Sequence, residues 1–438
     1  MLELNNIVDD AYTGIFSTVL TATFYRSTLD FPAPARANVI LPITARSKNS
    51  SQMLVYPGDA SVEINVPQNS AEAWLEVVAT GAAEEEFWYT NILDRWRDYF
   101  PGSPMPGKGP LREVQVRVDG QLAGAFNPFP VIYTGGANPL LWRPLASLRA
   151  FDIPSFFLDI TPFLPILCDG RSHSISFSVL GQGENGSICQ HWAQRFITGA
   201  LHIVLDTTDP PVRTTGRMLR YTAPSSPLIL SLGLPSPDGK SLKTVVNASR
   251  RFDILAELDT GAGKKEVEVS GLGGFENTQY LTDRGDYEAV SQHTYSRYTS
   301  KHNNRTVLRD LSSFPLSITT NYTLFSTQHR FSAVLDAYGY DRSLTLPPAL
   351  GGVEGRARRT KSSQRGAAEI LGRNGRASYG WGRMEEEYAY HGDGGETYHE
   401  EVKAENATVV RRKRWGSLAP ADRDLDRTSG RERVALPL

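Results

Sequence analysis

Val114-Gln115-Val116-Arg117-Val118-Asp119-Gly120-Gln121-Leu122 alternates apolar and polar residues, breaks at an Asp-Gly pair, and resumes the apolar face at Leu122. Successive side chains of a strand point to opposite faces, so Val114, Val116 and Val118 share one. An Asp-Gly pair between two such runs is a hairpin signature, because both residues tolerate the positive φ of a tight two-residue turn. The stretch therefore predicts an antiparallel hairpin. The same period recurs outward: Val62, Ile64 and Val66 on one side, Ile175, Phe177 and Val179 on the other. Residues 201–205 read as a buried strand. Short segments separated by turns rich in Ser, Pro and Gly predict an all-β fold, a jelly roll or β-sandwich over residues 1–206. Helix is scarce, with room for a turn or two at 89–99.

The composition changes at residues 206–211, which sets a domain boundary. Strand-like runs restart at 228–234 and 252–258, and Leu316, Ile318, Thr320, Tyr322 and Leu324 keep a two-residue period. A second β-sandwich-like domain is expected over 207–350. Residues 351–376, rich in Gly, Arg and Ser, read as a linker. Strands are expected again at 387–390 and 398–402, across Gly392-Asp393-Gly394-Gly395, and the charged tail from Arg411 reads as disordered. Residues 351–438 are thus expected to hold linker, a short β segment and a disordered tail.

The chain has 438 residues and a formal net charge of −2. Near-neutrality gives no electrostatic footprint for nucleic acid, and no apolar run reaches the roughly 18 residues of a membrane span. The first residues, Met1-Leu2-Glu3-Leu4-Asn5-Asn6, lack a basic segment and do not read as a secretion signal. Six Asn-x-Ser/Thr sequons, at Asn49, Asn185, Asn247, Asn304, Asn321 and Asn406, are compatible with a secreted protein. The two cysteines, Cys168 and Cys189, do not amount to a disulfide scaffold.

Several motifs have simple explanations. Gly181-Gln182-Gly183-Glu184-Asn185-Gly186 has dinucleotide-fingerprint spacing but no helix or βαβ unit after it, so it reads as a glycine-rich turn. His391, Asp393, Glu396 and His399 flank a glycine turn with no recognised metal spacing, and a polar hairpin tip accounts for them. Two segments carry more chemistry. Glu84-Glu85-Glu86-Phe87-Trp88-Tyr89-Thr90-Asn91 puts three carboxylates beside three aromatics. Carboxylates held close raise at least one pKa, and aromatic rings can wall a sugar face. Thr134-Gly135-Gly136-Ala137-Asn138-Pro139-Leu140-Leu141-Trp142-Arg143-Pro144 offers a stacking face and a fork of donors. Composition alone favours a solvated acidic loop for the first and a rigid corner around a core tryptophan for the second.

Taken together, these segments resemble the peptide:N-glycanase A-type family. The matching text is Tyr12-Thr13-Gly14-Ile15-Phe16, Glu85-Glu86-Phe87-Trp88-Tyr89-Thr90-Asn91, Gly109-Pro110-Leu111-Arg112-Glu113-Val114, Val118-Asp119-Gly120, the 134–144 segment, Phe151-Asp152-Ile153-Pro154, and Asp159-Ile160-Thr161-Pro162-Phe163-Leu164. The resemblance implies hydrolysis of the amide joining N-acetylglucosamine to asparagine in N-glycosylated peptides or proteins. No metal or cofactor is implied. The related bacterial amidases have two jelly rolls with the active site at their junction, a catalytic aspartate on the first roll and supporting glutamates. Similarity assigns a substrate- or water-orienting role to Glu86, with Glu85 as the next choice. Trp88, Tyr89, Asn91, Trp142 and Arg143 are the candidates for substrate contact.

The family pattern includes an earlier Asp-Arg-containing strand, absent here. The chain as written is therefore expected to be truncated and inactive or barely active, with an apolar face uncovered. The full-length family is expected to be secreted or vacuolar. A non-catalytic N-glycan-binding sandwich and a purely structural secreted β protein are the competing readings.

Overall fold

A computed structural model describes residues 8–23, 26, 36–46, 51–56, 58–133, 135–183, 188–190, 195–325, 327–373 and 376–420. It is built almost entirely of antiparallel strands. The first part holds β1 (Val39–Ile43), β2 (Ala45–Arg46), β3 (Ser51–Gln52), β4 (Leu54–Tyr56), β5 (Ser61–Ile64), β6 (Ser70–Gly81), β7 (Glu113–Val118), β8 (Gln121–Phe126), β9 (Phe156–Asp159), β10 (His173–Gln182), β11 (Ile188–Gln190) and β12 (Arg195–Leu205). β2 and β3 pair as a separate two-stranded ribbon, and the other ten form two five-stranded sheets. One runs β1-β12-β6-β9 with β4 also on β12, and the other runs β11-β10-β7-β8 with β5 also on β10. The β7–β8 turn is the expected one, with Asp119 at φ 46° and Gly120 at φ 80°. Val114, Val116 and Val118 are buried together with Ile175, Phe177 and Val179.

The second part is a single meander. It comprises β13 (Thr215–Thr222), β14 (Leu228–Pro235), β15 (Ser241–Thr260), β16 (Gly263–Thr282), β17 (Tyr287–His302), β18 (Arg305–Phe325), β19 (Gln328–Thr345), β20 (Arg358–Arg373), β21 (Arg376–His391), β22 (Thr397–Glu405) and β23 (Thr408–Trp415). All belong to one 11-stranded sheet in the order β13-β15-β16-β17-β18-β19-β20-β21-β22-β23, with β14 pairing β15 alongside β13. Strict alternation makes it possible. Along β15, Leu242, Thr244, Val246, Phe252, Ile254, Ala256 and Leu258 are buried and the residues between them less so. Tight turns such as Asn303-Asn304 and Asn406-Ala407, all four residues at positive φ, return each strand onto its neighbour.

Two expectations are corrected here. Residues 351–376 are not a linker, because 358–373 form β20, paired along its length with β19 and β21. Arg411–Trp415, placed in the disordered tail, belong to β23. In both stretches the Arg and Glu side chains that suggested a solvated segment pair across strands on the exposed face, as in Arg359–Asp341, Arg365–Glu385 and Arg414–Glu400. Residues 421–438 lie outside the described residues. The sheet that starts in the expected second domain thus continues past residue 350 to Trp415, and forms one sheet rather than a sandwich.

The first part packs on one face of the long sheet, and a single apolar core runs through both. Phe129 meets Phe314, Tyr338 and Tyr340 at ring separations of 5.1–5.4 Å. The Arg250 guanidinium on β15 grips Glu113 at the start of β7, both buried. The other face is open, leaving Leu272, Tyr280, Tyr295 and Tyr379 exposed. Among the described residues of 8–23 no strand or helix forms, and Tyr12, Ile15, Phe16, Val19 and Leu20 are exposed. Cys168 is a buried free thiol. No helix among the described residues is long and apolar enough to cross a membrane.

Candidate active site

The loop between β6 and β7, residues 82–112, carries the acidic and aromatic segment. It turns through short 3-10 stretches at Ala83–Glu85, Trp88–Thr90 and Asp94–Trp96. Its two ends are locked by one buried ion pair. Arg112 Nε and Nη2 donate to the two carboxylate oxygens of Glu85 at 2.6 and 2.8 Å, and Nη1 donates to the carbonyls of Gly109 and Leu111 at 2.7 Å. Each residue is only 1 % exposed. A buried guanidinium needs this degree of satisfaction, which the planar fork can provide. Farther along, Asp94 accepts from the Lys108 backbone N–H at 2.7 Å and from its Nζ at 2.9 Å.

The middle of the loop is fixed by the long sheet. Asn277 Nδ2 donates to the Tyr89 carbonyl at 3.1 Å, and Gln279 Nε2 to the Asn91 carbonyl at 3.0 Å. Asn277 also donates to Gln292 on β17 at 3.0 Å. The carboxamides of β16 thus hold Tyr89 and Asn91 over a cavity of about 830 Å³, within the usual size range of ligand pockets. Phe87, Tyr89 and Asn91 form one wall, and Ile132 with Gly135 to Ala137 another. Glu288, Val290, Ile318, Thr320 and Phe331 form the sheet side. Gly136 has no room for a side chain, since a Cβ there would come within 2.7 Å of the Phe87 ring.

The electrostatics set one acid apart. Glu288, half-buried on β17, makes no hydrogen bond or ion pair with a described residue, and burial pushes its carboxyl up to about 7. Tyr89 is 2 % exposed and its hydroxyl bonds to no described residue. Burial drives its phenol well above the usual value, with Tyr338, Glu86 and Glu288 adding to the shift. Burial also raises the Tyr133 phenol, and the nearby Glu86 charge contributes; its hydroxyl meets Thr80 Oγ1 at 2.5 Å.

The structure brings some of the sequence candidates together and separates others. Tyr89 and Asn91 line the cavity. Glu86 stands beside it, half-buried and close enough to Tyr89 and Tyr133 to act on both phenols. Glu85 reaches the cavity lining, but Arg112 occupies both of its carboxylate oxygens. Trp88 is buried in the core, edge-on to Tyr89 at 5.5 Å. Trp142 is buried too, its Nε1 donating to the Gly136 carbonyl at 2.8 Å, so it braces the glycine loop from behind. Arg143 is exposed and does not line the cavity. The Glu84 side chain lies outside the described residues. Sequence reasoning missed Glu288. The available signal was parity: Glu288 shares a strand face with Val290, Gln292 and Thr294, which makes it an acid in an inward-facing row. Around the hairpin tip, Asp393 and Glu396 accept backbone N–H groups and His399 stacks on Trp415.

The fold and cavity define an all-β protein with a largely apolar pocket where a two-sheet domain meets a long antiparallel sheet. Residues 1–224 match the family model of peptide N-acetyl-beta-D-glucosaminyl asparaginase amidase A, and residues 243–316 match that family's C-terminal domain. The chain belongs to this amidase A family. It is 34 % identical over 245 residues to peptide-N4-(N-acetyl-beta-glucosaminyl)asparagine amidase A of Prunus dulcis, a match covering 52 % of this chain and 41 % of that one. The chain therefore spans about two fifths of that relative's length. Among solved structures, recombinant peptide:N-glycanase F is similar at 15 % identity and a TM-score of 0.24, covering 40 % of this chain and 54 % of its own. A second, peptide-N(4)-(N-acetyl-β-D-glucosaminyl) asparagine amidase, gives 14 % and 0.22, covering 40 % and 55 %.

Proposed function

We propose that this chain serves the reaction for which its family is named, hydrolysis of the amide between an asparagine side chain and N-acetylglucosamine, on N-glycosylated peptides or proteins. One observation carries the reading. The loop whose sequence belongs to the family match places Glu86, a carboxylate with no hydrogen-bond or ion-pair partner among the described residues, beside a cavity walled by Phe87 and Tyr89. In the reaction, water adds to the amide carbonyl carbon and the C–N bond breaks. The nitrogen leaves with a proton as the glycosylamine, and aspartate remains. A carboxylate within reach of the water orients it and accepts its proton. The aromatic wall suits an apolar sugar face.

The test is glycan release from a denatured glycopeptide, read by mass as conversion of asparagine to aspartate. Glu86→Gln is expected to lower kcat by about 10²- to 10³-fold. Unchanged release by the variant removes Glu86 from the chemistry. Glycan binding with no release, by this chain and equally by a version extended at its N-terminus, replaces the amidase by a glycan-binding protein. We also propose a secretory setting. The sequon asparagines at 247, 304, 321 and 406 are all exposed, which supports it.

A further inference from the structure

We propose that β14 is a self-association edge, at which two copies of the chain pair β14 with β14, antiparallel, about a two-fold axis at Ser231.

The strand reads Leu228-Ile229-Leu230-Ser231-Leu232-Gly233-Leu234-Pro235 and contains no charged residue. One of its faces is taken. Ile229 packs on the cluster that includes Leu93 and Leu111, and Ser231 Oγ accepts from Gln182 Nε2 at 2.6 Å. Gly233 lies so close to Trp96 that a Cβ there would come within 2.0 Å of its ring. The other face is bare: Leu228, Leu230, Leu232 and Leu234 are 79, 54, 44 and 54 % exposed. These four stand in one row on the open side of the long sheet, opposite Ser249, Asn247, Val245 and Lys243 of β15. Among the described residues only β15 pairs with β14, so the outer edge of the strand is free.

The other outer strands of this sheet are guarded. β23 ends it with Arg411-Arg412-Lys413-Arg414, and β13, which pairs β15 on the same side as β14, carries Arg217 and Arg220. Charges of this kind keep sheet edges from joining, and an uncharged apolar edge is a template for strand addition. The sequence of β14 selects a second copy as the added strand, because it is symmetric about Ser231. In an antiparallel pair centred there, Leu228 faces the partner's Leu234 and Leu230 faces the partner's Leu232, and the leucines of both copies fall on one face. Pro227 and Pro235 lie equally far from Ser231, so they meet at the two ends. Lacking an N–H, they bound the paired stretch. An edge of 8 residues is well short of the roughly 20–30 residues a side of a standard interface, so the dimer is reversible and depends on concentration.

The experiment is sedimentation velocity of the full chain from about 1 to 100 μM, with hydrogen exchange of the β14 amides. The mass is expected to double with concentration while exchange over 229–234 slows. Leu230→Lys and Leu232→Glu should each weaken pairing at least about tenfold with unchanged melting. In the double variant each introduced lysine faces an introduced glutamate of the other copy, so pairing should recover at least about threefold over either single variant. Asn247→Gln is measured beside the parent, because a glycan on Asn247 would stand over the row opposite Leu230. A monomer at about 100 μM, a dimer indifferent to Leu230→Lys, or no recovery in the double variant overturns the proposal. So does a dimer found only in Asn247→Gln, which assigns the row to a covering glycan. A monomer whose β14 amides are protected also overturns it, and assigns the edge to another segment of the same chain.

Discussion

Of the places on the seam between the first part and the long sheet that bury ionisable groups, two are built in opposite ways. Near the end of β9, Asp159 accepts from Ser300 Oγ and meets His302 Nε2 at 2.8 Å, while His302 Nδ1 approaches Glu72 at 3.4 Å. Lys265 Nζ closes the chain on Glu72 at 3.0 Å, and Trp74 stacks on the imidazole at 5.3 Å. Every charge there has a partner. At the cavity, Glu288 and the buried Tyr89 hydroxyl have none among the described residues. A closed network holds two layers together. An open one costs stability, and proteins tolerate that cost where a ligand is bound.

The comparison can be broken most severely at the loop anchor. Arg112→Ala leaves Glu85 charged and buried, and thermal unfolding should report a loss of about 3–5 kcal/mol. Arg112→Lys should fall between, because one ammonium cannot replace the two-pronged contact.

The next effect is at the closed network. His302→Gln removes the cation facing Asp159 and should cost about 2–4 kcal/mol in denaturant unfolding. Its pH signature is specific. Burial opposes the imidazolium, but Asp159 and Glu72 outweigh it and raise His302 to about 9. A base raised in the folded state contributes stability that is complete below its unfolded pKa of about 6.5 and is lost as pH rises through about 9. Burial likewise opposes the Glu72 charge, yet His302 and Lys265 lower its pKa to about 2. That contribution is present above about pH 4.5 and lost as pH falls toward 2. The parent chain should thus weaken between about pH 6.5 and pH 9, and His302→Gln should flatten that limb.

The open site should behave in the opposite sense. Glu288 is an acid whose pKa is raised, so its ionisation destabilises the fold as pH climbs from about 4.5 to about 7. Glu288→Gln should stabilise the protein by about 1–2 kcal/mol at pH 8, less than the full shift implies because the cavity side is wet, and change nothing at pH 4. A destabilised variant at pH 8 would contradict the open-site picture. The smallest effect is expected at Arg143. It is exposed, and Arg143→Ala should move stability by no more than about 0.5 kcal/mol. A raised KM in glycan release with unchanged melting would restore it as a substrate contact.

How far the chain could be read depended on where each signal resides. Period-two alternation is local, so the β7–β8 hairpin, the inward rows of β10 and β15 and the turn at 392–395 were legible. Residues 358–373 and 411–415 were not, because a charged strand pairing its Arg and Glu residues across neighbours has the composition of a solvated loop. The acidic-aromatic segment was found as a unit, but its members were sorted only by the fold. Arg112, 27 positions beyond Glu85, turned that carboxylate into an anchor, while Glu86 has no partner among the described residues.

By itself, then, the sequence determined the all-β class, the family resemblance and the loop that carries the candidate chemistry, since these depend on neighbouring residues. Only the tertiary structure decided which carboxylates are neutralised and which face a cavity. Glu288 lies almost 200 positions from Tyr89 and lines the same cavity only because β16 and β17 pass beneath the loop. Burial and pairing, which set a carboxyl's pKa, are properties of the packed seam between the two parts.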